Sequence, residues 1–88
     1  MASTKTFTVN NKLGIHARPA AQFVKIASRF DCEISVEKDE EEIDGKSIMG
    51  LMMLAAGNGS QLKVTAVGSD EEEALAALED LVSRNFEE

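Results

Sequence analysis

Apolar positions in this chain follow two periods. At residues 6–9, Phe7 and Val9 fall on one face and Thr6 and Thr8 on the other. At residues 33–37, Ile34 and Val36 point one way between Glu33, Ser35 and Glu37, and Leu62, Val64 and Ala66 alternate with Lys63, Thr65 and Val67. A period of two marks strands with one face buried. Ile43, behind the acidic run at 39–42, predicts a short edge strand after a solvated turn.

The other stretches repeat every three or four residues. Ala20, Phe23, Val24, Ala27 and Phe30 make one stripe of a helix, with Pro19 in its first turn, where a missing N–H costs nothing. His16 is then at or beside the N-cap. Ser47 caps a second, short apolar helix from Ile48 to about Ala56, ended by Gly57-Asn58-Gly59. Leu75, Leu78, Leu81, Val82 and Phe86 line a third. Ser69 with Glu72 suggests a capping box there, and Glu71, Glu72 and Glu73 suit a positive helix start. The order is βαββαβα. Strands with one wet face need helices on the other, which predicts an α/β two-layer sandwich with an antiparallel or mixed four-stranded sheet.

Length and composition narrow the function. The 88 residues fit one small domain, and the single cysteine excludes an internal disulfide framework and favours a reducing, cytoplasmic setting. Residues 1–10 lack the apolar core of a secretory leader, and the apolar stretch at 47–60 is too short to span a bilayer. A net charge of −7, with no Trp or Tyr, argues against nucleic acid and anionic membranes as partners. Proteins or small molecules are expected instead.

The only histidine is His16, in GIHARPAA. A lone histidine is most often a surface residue or a cap. Here it stands where unpaired N–H groups and the positive end of a helix dipole meet, beside the guanidinium of Arg18. That arrangement suits a phosphate or carboxylate, and the same field favours neutral imidazole, which leaves one ring nitrogen nucleophilic. A phosphoryl acceptor needs both features. Zinc would need three or four ligands, and Cys32 with scattered acids offers no such spacing; no metal or cofactor is expected. A catalytic triad lacks an identifiable nucleophile and orienter.

Around the second helix, no charge falls between Lys46 and Lys63. A helix apolar all round should be buried all round, yet a two-layer domain covers one side only. Leu51 and Leu54 are expected inward, and Met49 and Met52 outward as part of a docking surface. Ser47 reads first as an N-cap; a phosphate there would set a dianion beside the apolar patch. Gly45-Lys46-Ser47 imitates the end of a nucleotide-binding loop, but Glu40 stands where its first glycine belongs. Calcium-loop spacing fails at Ile43, and Cys32 reads as a small packing residue.

GIHARPAAQFVKIASRF followed by DGKSIMGLMMLAAGNGS resembles the HPr family, the histidine phosphocarriers of bacterial phosphoenolpyruvate-dependent phosphotransferase systems, across essentially the whole chain. The resemblance implies an open-faced sandwich of four antiparallel strands backed by three helices. It also implies a carrier that is phosphorylated transiently and is not itself an enzyme. His16 matches the histidine phosphorylated on Nδ1 by enzyme I, and Arg18 the arginine that assists transfer. Ala17 and Arg18 would supply backbone N–H groups, and Ser47 matches the serine modified by HPr kinase/phosphorylase in many Gram-positive members. Ala21, Ile48, Met49 and Met52 fall on docking positions. Downstream partners are A-type components of enzyme II, or a regulatory counterpart in nitrogen-type relatives; both branches stay open. A cytoplasmic monomer is expected, with no nucleic acid or membrane partner. A regulatory module switched at Ser47 is the rival reading. An acylphosphatase-like hydrolase would need an Arg–Asn pairing around a phosphate loop, and none is present.

Overall fold

The computed structural model describes residues 2–54 and 56–86. Strand β1 (Ala2–Thr8) is followed by helix α1 (Ala17–Ala27), strands β2 (Glu33–Lys38) and β3 (Glu41–Asp44), helix α2 (Ile48–Met53), strand β4 (Gln61–Val67) and helix α3 (Glu71–Ser83). The sheet order is β1-β4-β2-β3 and every pairing is antiparallel. That settles the alternative between an antiparallel and a mixed sheet. The helices cover one face, and the other carries the polar positions of each strand.

The period-two residues are the core. Ile34, Val36, Leu62, Val64 and Ala66 are buried from the sheet, and Ala20, Phe23, Ala27, Leu75 and Leu78 meet them from the helices. Each fully buried Leu or Phe contributes about 1.5–3 kcal/mol of transfer free energy. Cys32 joins this core, as its packing role requires.

Several elements differ from expectation. The first strand begins at Ala2 rather than Thr6. Its early half is polar, and it is held by the ladder to β4, by the Ser3 hydroxyl donating to Glu71 and by Lys5 Nζ 3.0 Å from Glu79. The acidic run is only half turn: Asp39 and Glu40 take left-handed φ values of 51° and 71°, while Glu41 and Glu42 pair in β3. Positive φ at both central residues is what a type I′ two-residue hairpin requires, whatever the residues.

Helix α2 stops at Met53, short of Ala56; residue 55 lies outside the described residues. The Ala56 carbonyl instead accepts the Ile15 N–H at 2.7 Å, so this chain segment turns toward α1. The capping box of Ser69 and Glu72 is replaced. Asp70 is the N-cap, and its carboxylate accepts the N–H groups of Asp31 (2.8 Å) and Cys32 (3.0 Å), while Glu71 accepts from Gly68 at 3.1 Å. Two backbone donors of the α1–β2 turn lie within reach of Asp70, and they hold its carboxylate away from its own helix. Phe86 lies beyond α3, not on it. Asn85 and Phe86 are left-handed, with Phe86 N–H bonded to Leu81 O and Asn85 N–H to Val82 O, a Schellman ending that folds Phe86 back into the core.

Candidate functional site

The loop between β1 and α1 is stitched to the loop between α2 and β4. Val9 N–H bonds to Ser60 O at 2.8 Å, Gly59 N–H to Val9 O at 2.6 Å, and Ile15 N–H to Ala56 O at 2.7 Å. Gly14, at φ +70°, lies so close to this partner that a Cβ would sit 2.3 Å from the Ala56 oxygen. No side chain fits there, and the left-handed φ would strain one. The two loops together fix the start of α1.

His16 is the N-cap of α1, in extended backbone (φ −106°, ψ −166°), and its carbonyl accepts the Ala20 N–H at 3.0 Å. Its side chain is exposed and makes no capping hydrogen bond. Ala17 and Arg18 occupy the first two helical positions, where an N–H has no carbonyl one turn back. Pro19, third, has no N–H. The first turn carries no acid.

His16 and Arg18 line one open cleft with Asn11, Lys12, Leu13, Pro19, Gln22, Asn85 and Phe86. Two cations and no carboxylate therefore face it among the described residues. The overall negative charge conceals this: all sixteen acids lie at Asp31 or later, while Lys5, Lys12, Arg18, Lys25 and Arg29 precede them. Arg18, Gln22 and Lys25 recur at helical spacing along α1, and Arg29 follows just beyond its C-cap. The cleft suits a phosphoryl group.

Ser47 caps α2, accepting the Gly50 N–H at 3.0 Å, as its position requires. It does not line the His16 cleft. Ala21 is exposed on α1. Leu51 and Leu54 are buried, whereas Met49 is 74%, Met52 44% and Ile48 41% exposed. The inward and outward sides of the short helix are thus as read from its sequence. Two further large apolar residues are exposed, Met53 at 71% on the same helix and Leu13 at 75% in the lining of the His16 cleft. Met53 had a sequence signal, the charge-free run; Leu13 is a single apolar residue in a polar loop and had none. Asn85 and Phe86 reach the cleft only through the Schellman turn.

No group of three metal-ligating side chains occurs among the described residues, and no helix there is long and apolar enough to cross a membrane. Cys32 does not compete as a nucleophile. It is buried, and burial first, then the neighbouring Asp70 carboxylate, pushes its thiol above the ordinary value.

Residues 3–84 match the family model described as the PTS HPr component phosphorylation site. The phosphocarrier protein HPr of Pseudomonas aeruginosa is 50% identical over 82 residues, covering 92% of this chain and 91% of that protein. Among solved structures, an HPr from Thermoanaerobacter tengcongensis superposes with a TM-score of 0.93 at 49% identity, covering 98% of each chain. A structure described as an HPr dimer from the same organism gives 0.79 at 51% identity, covering 91% of this chain and 92% of that one. With that match over nearly its whole length, and with the open-faced antiparallel sandwich it shares, the chain belongs to the HPr family, the phosphocarriers of the phosphotransferase system, which carry phosphoryl groups rather than turn over a substrate.

Proposed function

We propose that this chain, as a single cytoplasmic domain spanning 1–88, accepts a phosphoryl group on His16 from phospho-enzyme I and donates it to an A-type component of enzyme II or a nitrogen-type counterpart. One observation carries the reading: the only histidine sits uncapped and exposed at a helix start, in a cleft that Arg18 and Lys12 line and no described carboxylate does. With its proton on Nε2, the ring offers the Nδ1 lone pair to the phosphorus of the donor phosphohistidine. The donor N–P bond breaks as the bond to His16 forms, through a loose transition state whose charge spreads over the phosphoryl oxygens. The helix start at Ala17 and Arg18 and the Arg18 guanidinium meet that charge. Donation to the A-type protein is the same step in reverse.

Ala21, Ile48, Met49 and Met52, joined by Met53 and Leu13, form the apolar surface on which enzyme I and the A-type acceptor dock in turn. Where HPr kinase/phosphorylase is present, Ser47 is its site, and a phosphate there places a dianion beside that surface and weakens docking. A monomer exposes this face to successive partners. The dimeric relative is the alternative, and light scattering on the purified chain decides between them.

The test is intact mass. The chain is incubated with enzyme I, Mg²⁺ and phosphoenolpyruvate, with a His16→Ala control. The expected result is one acid-labile phosphoryl, absent from the control. No shift with an active cognate enzyme I, or a shift that survives in the control, overturns the proposal.

A further inference from the structure

Asn11 stands on the wall of the His16 cleft, and nothing in the transfer chemistry assigns it a task. Its main-chain carbonyl accepts the Gly14 N–H at 3.1 Å, closing a turn, and its side-chain Nδ2 donates to the Gly14 carbonyl at 2.6 Å. The side chain thus bolts the turn shut from the other side. Its Oδ1 is buried and meets no donor among the described residues. Turning the amide over would set that oxygen against the Gly14 carbonyl, so the orientation is fixed by the bond that is made. A buried acceptor without a donor loses its hydration and gains no bond in return, and each such group asks for an explanation.

The position of the turn supplies one. Gly14 and Ile15 are the two residues before His16, and both touch Ala56: Gly14 through its left-handed, side-chain-free approach, and Ile15 through its N–H. His16 makes no side-chain bond to its own helix, so its placement is inherited from this segment. The Asn11 amide is what ties the cleft side of the loop to Gly14. A loop optimised for stability alone would carry there a residue with no oxygen to strand.

We propose that Asn11 is a positioning residue for phosphoryl transfer. Its amide holds the turn at residues 11–14 so that the imidazole of His16 meets the incoming phosphorus in line, and the stranded Oδ1 is a stability loss accepted for that geometry. The inference rests on the carrier reading above. Misplacement of a reacting group by a fraction of an ångström lowers rate without lowering encounter affinity.

The experiment follows transfer of label from ³²P-phosphorylated enzyme I to the full chain by rapid quench, across a range of carrier concentrations. Melting temperature and the imidazole C–H signals of the single histidine are recorded alongside. For Asn11→Ala, the saturating rate is expected to fall about tenfold, with half-saturation unchanged. The melting temperature should change little, because release of the stranded oxygen offsets loss of the Nδ2 bond to Gly14, and the His16 signals should shift or broaden. Asn11→Asp keeps the oxygen, loses the donor and should be slow as well. Wild-type saturating rates in both variants overturn the inference. So does a change confined to half-saturation, which would make Asn11 a docking residue, or a lowered melting temperature with an unaltered rate, which would make it a structural tie. A wild-type chain that takes no label from a competent enzyme I fails the carrier reading itself, an outcome distinct from wild type transferring normally and the variants matching it.

Discussion

Two helix starts in this fold carry N-caps of opposite kinds. At α2, Ser47 turns its hydroxyl onto the Gly50 N–H and satisfies the helix. At α1, His16 occupies the same position, in comparably extended backbone, and leaves its helix without a side-chain cap. The first arrangement stabilises. The second leaves an imidazole exposed at the positive end of a helix dipole, where an anion can meet both. In this reading an uncapped helix start beside a nucleophile is a working site, and a capped one becomes regulatory only when a modification alters its charge.

The largest effect is expected at His16. His16→Ser restores a good cap and removes the nucleophile. Transfer from enzyme I is expected to vanish while unfolding free energy rises by about 0.5–1 kcal/mol, measured by urea denaturation. Loss of stability in that variant would mean that His16 makes a structural contribution the uncapped geometry does not reveal. The converse change, Ser47→Ala, removes a cap that is in use. It should cost about 1 kcal/mol by the same measurement and leave phosphorylation of His16 intact.

The third helix start sharpens the contrast, with a smaller expected effect. Asp70 and Glu71 begin α3 but bond elsewhere. The Asp31 N–H, ahead of the Cys32 contacts, holds the Asp70 carboxyl below its ordinary value, and the Ser3 hydroxyl, ahead of the Gly68 N–H, does the same for Glu71. A carboxylate whose folded value is lowered gives stability that is fully present above its unfolded value and is lost as pH falls through the folded one. Melting temperature should therefore decline on the acid side of the ordinary carboxylate range, and Asp70→Asn should flatten that decline. An unchanged acid limb in Asp70→Asn would remove Asp70 from the account.

These three starts also show what a sequence discloses. His16 and Ser47 were legible because capping and helix periodicity are local: each is written within a few residues of its consequence. The same holds for Ile34, Val36, Leu62 and Val64, whose alternation follows from one buried face. The start of α3 was misread as a capping box of Ser69 with Glu72 because the partners of its true N-cap, Asp70, are Asp31 and Cys32, 38–39 positions away. The early half of β1 was invisible because backbone pairing with β4, not an apolar pattern, makes it a strand. Phe86 read as a helix position because its spacing fits, and only the left-handed turn at Asn85 shows otherwise. At the site, His16 and Arg18 were plain, while Asn11 and Leu13 emerged only when two distant loops were stitched together. Net charge misled in the same way: summed over the chain it is −7, yet among the described residues the charged side chains lining the cleft, besides His16, are Lys12 and Arg18.

The most direct measurement uses the fact that the chain has one histidine. With ¹⁵N-histidine label, the ring gives a single pair of nitrogen signals, followed by NMR before and after enzyme I and phosphoenolpyruvate are added. Nδ1 is expected to shift and couple to ³¹P while the Gly50 amide, reporting on the Ser47 cap, stays in place. A phosphorylated protein with an unaltered imidazole and a displaced Gly50 amide would put the phosphate on the capped start rather than the uncapped one, and would contradict the account.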